Sequence, residues 1–146
     1  MSSTADALEP PIRPIFIISD GTGDTAEKVV EACLFQFENL AVQVHVFPNV
    51  VDAEQLQRLF KLAADQGAMV VTTLVRIEQR NESDRLAKQH RLQVVDVVGN
   101  MLGAMSSFLR CRPRGMPGLM HQADETYFQR VEAVEFTVKA DDGKEP

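Results

Sequence analysis

Apolar positions run without interruption through "PIFIIS" (14–19), the pattern of a strand covered on both faces rather than one. A glycine-rich turn follows. Ala26, Val29, Val30, Cys33 and Phe37 then recur at helical spacing, with Asp24 and Glu27 placed as N-cap and third-position partner of a capping box. "AVQVHVF" (41–47) predicts a second strand, stopped by Pro48. Asp52 and Gln55 open a second helix whose buried stripe is Leu56, Leu59, Phe60 and Ala63, and Gly67 stands where a left-handed C-terminal cap is wanted. "AMVVTTL" (68–74) is a third strand. Residues 76–90 are polar, with Ile77, Leu86 and Ala87 as apolar anchors, and predict a weakly amphipathic surface helix. "LQVVDVV" (92–98) is a fourth strand, and Asn100 caps a helix whose apolar face is Met101, Leu102, Met105, Phe108 and Leu109.

Strand and helix alternate four times, which predicts an α/β fold: an open parallel sheet of about four strands with helices on both faces, a Rossmann-like or flavodoxin-like half. Residues 1–13 form a polar, proline-punctuated arm expected to stay loose, 14–110 the α/β domain, and 111–146 a loop, helix and turn. The last part follows the Pro- and Gly-rich run "RCRPRGMPGLMHQ", which carries Arg110, Arg112 and Arg114. In "ETYFQRVEAVEFTVK" (125–139), Tyr127, Val131, Val134 and Val138 fall at i, i+4, i+7 and i+11, a C-terminal helical face, although "VEFTV" alone also fits a strand. "ADDGKEP" reads as a turn leading toward a further element.

Composition narrows the function classes. The 21 acidic against 15 basic side chains give a net charge of -6, which opposes attraction to phosphate backbones, so no nucleic-acid partner is expected. No apolar run reaches membrane-spanning length and the first residues carry neither secretory nor transit features, so a cytoplasmic protein without a membrane partner is expected. The two cysteines have no metal-ligand spacing, and no metal site is readable. Cys33 reads as a small core residue on the first helix, and Cys111 lies between two arginines whose charges favour a thiolate. His45 reads as a hydrogen-bonded strand histidine.

The glycine turn is the chemical question. Gly21, Gly23 and Ala26 spell G-x-G-x-x-A between a strand and a helix, one form of the dinucleotide fingerprint. The fingerprint also wants an acid at the tip of the second strand, where Phe47, Pro48 and Asn49 stand instead. Asp20, Asp24 and Glu27 moreover crowd the helix start with carboxylates that would repel a pyrophosphate, so a dinucleotide-binding domain is disfavoured. A plain turn and a ligand-lining turn at the C-terminal end of a parallel strand both stay open, the latter with Ser19, Asp20, Gly21, Thr22, Gly23 and Thr25 as crevice residues. No G-x-x-x-x-G-K-[ST] phosphate loop occurs in the chain.

"ISDGTGDTAE" after the first strand, "QF" closing the first helix and "YFQRVEAVEFTVKADDGK" at the end together resemble the pyruvate, phosphate dikinase regulatory protein family, whose bacterial relatives act on phosphoenolpyruvate synthase. The resemblance runs from about Ile15 to the last residue, and its C-terminal part is closer to the dikinase branch. It implies a cytoplasmic serine/threonine kinase and phosphotransferase, ADP and inorganic phosphate as cofactors, pyruvate, phosphate dikinase or phosphoenolpyruvate synthase as partner, and a homo-oligomer. ADP serves to phosphorylate a threonine of the dikinase, and inorganic phosphate removes that group as pyrophosphate. It adds His121, Tyr127 and Arg130 as candidates facing the substrate threonine or phosphate. In the family the nucleotide-binding loop comes soon after the D-D-G turn, so this chain resembles an N-terminal half, cofactor-binding residues are expected elsewhere, and the alternative is a non-catalytic module or truncated remnant that recognises the dikinase.

Overall fold

A computed structural model describes residues 11–38 and 41–113. Its elements alternate as β1 (Arg13–Ser19), α1 (Asp24–Leu34), β2 (Val42–Phe47), α2 (Ala53–Gln66), β3 (Met69–Thr73), α3 (Ile77–His90), β4 (Val94–Asp96) and α4 (Gly99–Leu109). The four strands form one parallel sheet in the order β2-β1-β3-β4, with Ile15 opposite Val44 on one side and Met69 on the other. The predicted α/β architecture is what the chain adopts.

Two cores follow from the strand period of two. Phe16 and Ile18 point to one face, where Leu56, Phe60 and Ala63 of α2 and Leu86 of α3 cover them; Ile15 and Ile17 point to the other, under Ala26 and Val30 of α1. β1 therefore has no solvent face, as its unbroken apolar run requires. His45 stands on edge strand β2, its ring edge-on to Phe16 at 5.5 Å.

The helix ends divide into those the sequence specified and those it did not. Asp52 caps α2 as read: its Oδ1 accepts from Gln55 N–H at 2.8 Å, the Gln55 side chain accepts from Asp52 N–H, and Gly67 closes the helix at φ 67°. Asp24 is not the cap of α1. Gly23 is, at φ 87°, because Asp24 already has helical geometry; the Asp24 N–H donates to Thr22 Oγ1 at 3.3 Å. Asn100 likewise lies inside α4, whose start is held by Asp96 Oδ1 accepting from Val98 and Gly99 N–H at 3.3 and 2.9 Å.

Three helical faces differ from the periodic reading. On α1 the buried stripe is Ala26, Val30 and the partly buried Leu34, so Val29 and Cys33 are exposed, and Phe37 lies beyond the helix. Cys33 is thus a surface thiol: the helix is rotated so that its narrowest row, not the centre of its apolar arc, meets the sheet. On α3 the buried positions are Gln79, Ser83 and Leu86, while Ile77 is exposed. On α4 only Gly99 is buried.

Gly23 is required sterically. A Cβ there would stand 2.7 Å from Val46 Cγ1, on a backbone that side chains rarely adopt, whereas a Cβ on Gly67 meets nothing within 4 Å. Gly23→Ala should therefore lose about 2 kcal/mol or more, the left-handed penalty plus overlap with Val46, and Gly67→Ala about 1 kcal/mol. Urea unfolding of both variants checks the order; equal losses would contradict the steric role of Val46.

Candidate functional site: the carboxyl end of the sheet

The strand order places a reversal between β1 and β3: the chain leaves β1 toward β2 and returns past it to β3. In open α/β sheets that is where a crevice opens beyond the strand ends. Three connections meet there: the turn from Asp20 to Gly23, the β2–α2 connection from Pro48 to Asp52, and the β3–α3 connection from Leu74 to Arg76.

Hydrogen bonds tie these connections to one another. Asn49 N–H donates to the Gly21 carbonyl at 2.8 Å and Val50 N–H to the Ser19 carbonyl at 2.9 Å. Val75 N–H donates to Asp20 Oδ2 at 2.9 Å, and Gln79 Nε2 donates to the Val50 carbonyl at 3.2 Å. Asn49 sits at φ 58°, a conformation asparagine tolerates better than most residues, and this lets the chain fold back onto the glycine turn.

The candidate residues of the turn are therefore together, but three of their side chains are already engaged, Thr22 by the Asp24 N–H. Ser19 is buried and its Oγ accepts from Gly21 N–H at 3.0 Å. Asp20, only 8% exposed, spends Oδ2 on Val75. Burial pushes its carboxyl above the usual carboxylate value of 3.8, against the lowering effect of the backbone N–H groups of Val75 and Asp20 and of the Arg76 charge. Thr22 and Thr25 are half-buried. Of the two turn glycines only Gly23 has positive φ, and the space its missing Cβ leaves is taken by Val46 rather than left for a pyrophosphate. With Asp24 and Glu27 in the first turn of α1, the turn does not fit the phosphates of ADP. His121, Tyr127 and Arg130 lie outside the described residues.

The structure adds groups that pattern reading passed over. Arg76 opens α3 without a side-chain cap and is the cation facing Asp20. Beside it a cleft of about 160 Å³ is lined by Val51, Asp52, Arg76, Glu78, Gln79 and Glu82 among others. Gln79 is 6% exposed, and its Oε1 has no donor. Glu82 is pulled down to about 2 by its hydrogen bonds with Arg85, on the same helix, and Gln57, which ties α3 to α2. A second cleft, about 260 Å³, lies between α3 and β4 along Arg80, Ser83, Asp84, Lys88 and Asp96. Arg80 Nε stands 3.3 Å from Asp96 Oδ2, an ion pair in distance but not aligned as a hydrogen bond. Position would have pointed to Arg76, the first charge after a strand at the reversal; nothing in the sequence marks Gln79. Among the described residues no group of three or more His, Cys, Asp or Glu is placed to hold a metal, and no helix is long and apolar enough to cross a membrane.

Asp20 gives a stability prediction with a definite sign. Asp20→Ala leaves Val75 N–H without its acceptor and should cost about 1–2 kcal/mol, while Asp20→Asn keeps an acceptor and should cost less. Because the folded carboxyl titrates above 3.8, its contribution is full below that pH and declines as pH rises through the raised folded value. The stability gap between the parent and Asp20→Asn should therefore shift in favour of Asn as pH goes from about 3.5 to 7. Urea unfolding at both ends of that window checks it, and a constant gap would contradict the raised titration.

The family model described as kinase/pyrophosphorylase matches residues 15–146. A protein of Lysinibacillus sphaericus is 38% identical over 136 residues, covering 90% of this chain and 50% of its own length. Proteins of Halothermothrix orenii and Sorangium cellulosum are 40% and 39% identical, each covering 90% of this chain and 49% and 47% of their own lengths. All three are named as pyruvate, phosphate dikinase regulatory proteins, and the chain spans about half the length of these curated relatives. With the family model matched from the first strand to the last residue, the chain belongs to the kinase/pyrophosphorylase family, that of the pyruvate, phosphate dikinase regulatory proteins.

Proposed function

We propose that this chain is the N-terminal α/β part of a bifunctional regulator. The whole protein phosphorylates a threonine of pyruvate, phosphate dikinase with ADP, and removes that phosphoryl group by phosphorolysis with inorganic phosphate, releasing pyrophosphate. The observation that carries the reading is the stitched crevice at the strand reversal, built on the same "SDGTGDT" turn by which the chain resembles the family.

In this reading the chain supplies a rigid wall rather than the phosphate cradle. Ser19 holds the turn on itself by accepting from Gly21 N–H, Asp20 ties it to the β3–α3 connection at Val75, Thr22 and Thr25 lie at its rim, and Arg76 contributes positive charge. The nucleotide is held by the part of the family's length that this chain does not span, because the carboxylates around α1 and the close approach of Val46 leave no room for a diphosphate at Gly23. Phosphoenolpyruvate synthase is the alternative target. A second reading, a module that recognises the dikinase without transferring a group, is favoured by one observation: the two buried polar side chains of the turn are already occupied by backbone N–H groups.

The readings separate in a chain extended to the length of the relatives. If the turn lines the reacting crevice, Thr22→Val and Thr25→Val should lower phosphoryl transfer to or from the dikinase about tenfold or more while melting stays within about 1 kcal/mol of the parent. Unchanged activity per folded molecule would favour the module. The 146-residue chain alone should give no saturable heat with ADP at micromolar concentrations in calorimetry; tight binding would overturn the assignment of the nucleotide to the other part.

A further inference from the structure

Two of the three buried positions of α3 are polar, Gln79 and Ser83. Ser83 and Thr72 of β3, 3% and 2% exposed, both line the cleft of about 260 Å³ between α3 and β4. Neither hydroxyl is hydrogen-bonded among the described residues. Buried hydroxyls are ordinarily paired, because an unpaired one has given up its bonds to water for nothing in return. Alanine and valine would fill the same two places without that loss.

The mouth of the cleft carries charges of both signs. Arg80 and Asp96 stand 3.3 Å apart and are engaged with each other, Asp96 also through Oδ1 with the Val98 and Gly99 N–H groups. Asp84 and Lys88 are exposed and differ from that pair. They lie four residues apart on α3, acid before base, where opposite charges on a helix ordinarily meet, yet among the described residues they form no ion pair. Ala87, Leu92 and Val94 complete the lining with apolar surface. The volume falls below the roughly 300–1,000 Å³ of clefts that hold drug-sized ligands, so the occupant is compact.

These features together select a class of ligand. A simple anion meets Asp84, a simple cation meets Lys88, and a hydrocarbon leaves both hydroxyls unpaired. A small zwitterion that carries a hydroxyl meets none of these objections. We propose that the cleft binds a small hydroxylated α-amino acid, of the size of serine or threonine, with its hydroxyl on Thr72 and Ser83, its ammonium toward Asp84 and its carboxylate toward Lys88. The site shares no lining residue with the cleft beside Arg76, and no step of phosphoryl transfer is assigned to it.

Calorimetric titration of the 146-residue chain tests it with L-serine and L-threonine, and with three molecules that each lack one group: L-alanine the hydroxyl, glycerate the ammonium and ethanolamine the carboxylate. The expected result is saturable binding of serine or threonine at about millimolar concentration or below. Alanine should bind at least about tenfold more weakly, and glycerate and ethanolamine about threefold or more, since their missing groups face exposed charges. Thr72→Val and Ser83→Ala should each weaken the amino acid at least about tenfold, while melting without ligand holds or rises as an unpaired hydroxyl is replaced by an apolar group. Asp84→Asn, on the surface, should weaken serine about threefold and leave glycerate no weaker. No saturable heat with either amino acid would overturn the proposal. So would binding that survives Thr72→Val and Ser83→Ala, alanine, glycerate or ethanolamine binding as tightly as serine, or a fall in melting temperature in both hydroxyl variants, which would assign the hydroxyls to the fold.

Discussion

Burial of β1 on both faces and both edges is the constraint from which the rest follows. Its neighbours β2 and β3 are both parallel to it, so each connection between them must cross a face of the sheet, and the two faces are covered by different helices. A strand so enclosed meets solvent only at its amino end, where Arg13 is exposed. At its carboxyl end the polar residues Ser19, the last of the strand, and Asp20, the next, are buried and must find partners within the protein.

Those partners come from the two connections that arrive from either side. Asp20 reaches Val75, the Ser19 and Gly21 carbonyls take Val50 and Asn49, and Gln79 reaches across to Val50. Loops at the carboxyl end of a parallel sheet are usually where side chains are offered to a ligand. Here the first use of polarity is to bind loop to loop, and what remains for chemistry is the rim: the Thr22 and Thr25 hydroxyls, the Arg76 guanidinium and the cleft beside it. A carboxyl held above its ordinary titration range within reach of an arginine is consistent with a site whose polarity is arranged before any ligand arrives.

The β4 edge of the sheet is settled in a different way. Asp96 performs two tasks with one carboxylate, holding the start of α4 through Oδ1 and standing beside Arg80 through Oδ2, and a Cβ on Gly99 would overlap both side chains. This clamp ties the first residues of α4 to the end of β4. Along the helix the less exposed positions are Gly99, Leu102 and Ser106, while Met101 and Phe108 are exposed.

What the sequence by itself determined was the alternation of elements, the doubly covered first strand and the capping box of α2, because each is encoded within a few consecutive residues: an unbroken apolar run, or Asp52 with Gln55 three positions later and Gly67 at the end. The motif residues from Ser19 to Thr25 were legible for the same reason. Tertiary structure decided which way each helix turned. Periodicity groups Val29, Cys33 and Val30 on one side of α1 but does not say which row within that side meets the strands, and Cys33 is exposed for want of that information. It decided, too, that polar Gln79 and Ser83 sit inward on α3, that Gly23 and Asp96 rather than Asp24 and Asn100 govern the starts of α1 and α4, and that Asp20 bonds Val75 from 55 residues away. Each of these depends on contacts between segments distant in sequence, and a local pattern carries no record of the neighbour that the fold will bring to it.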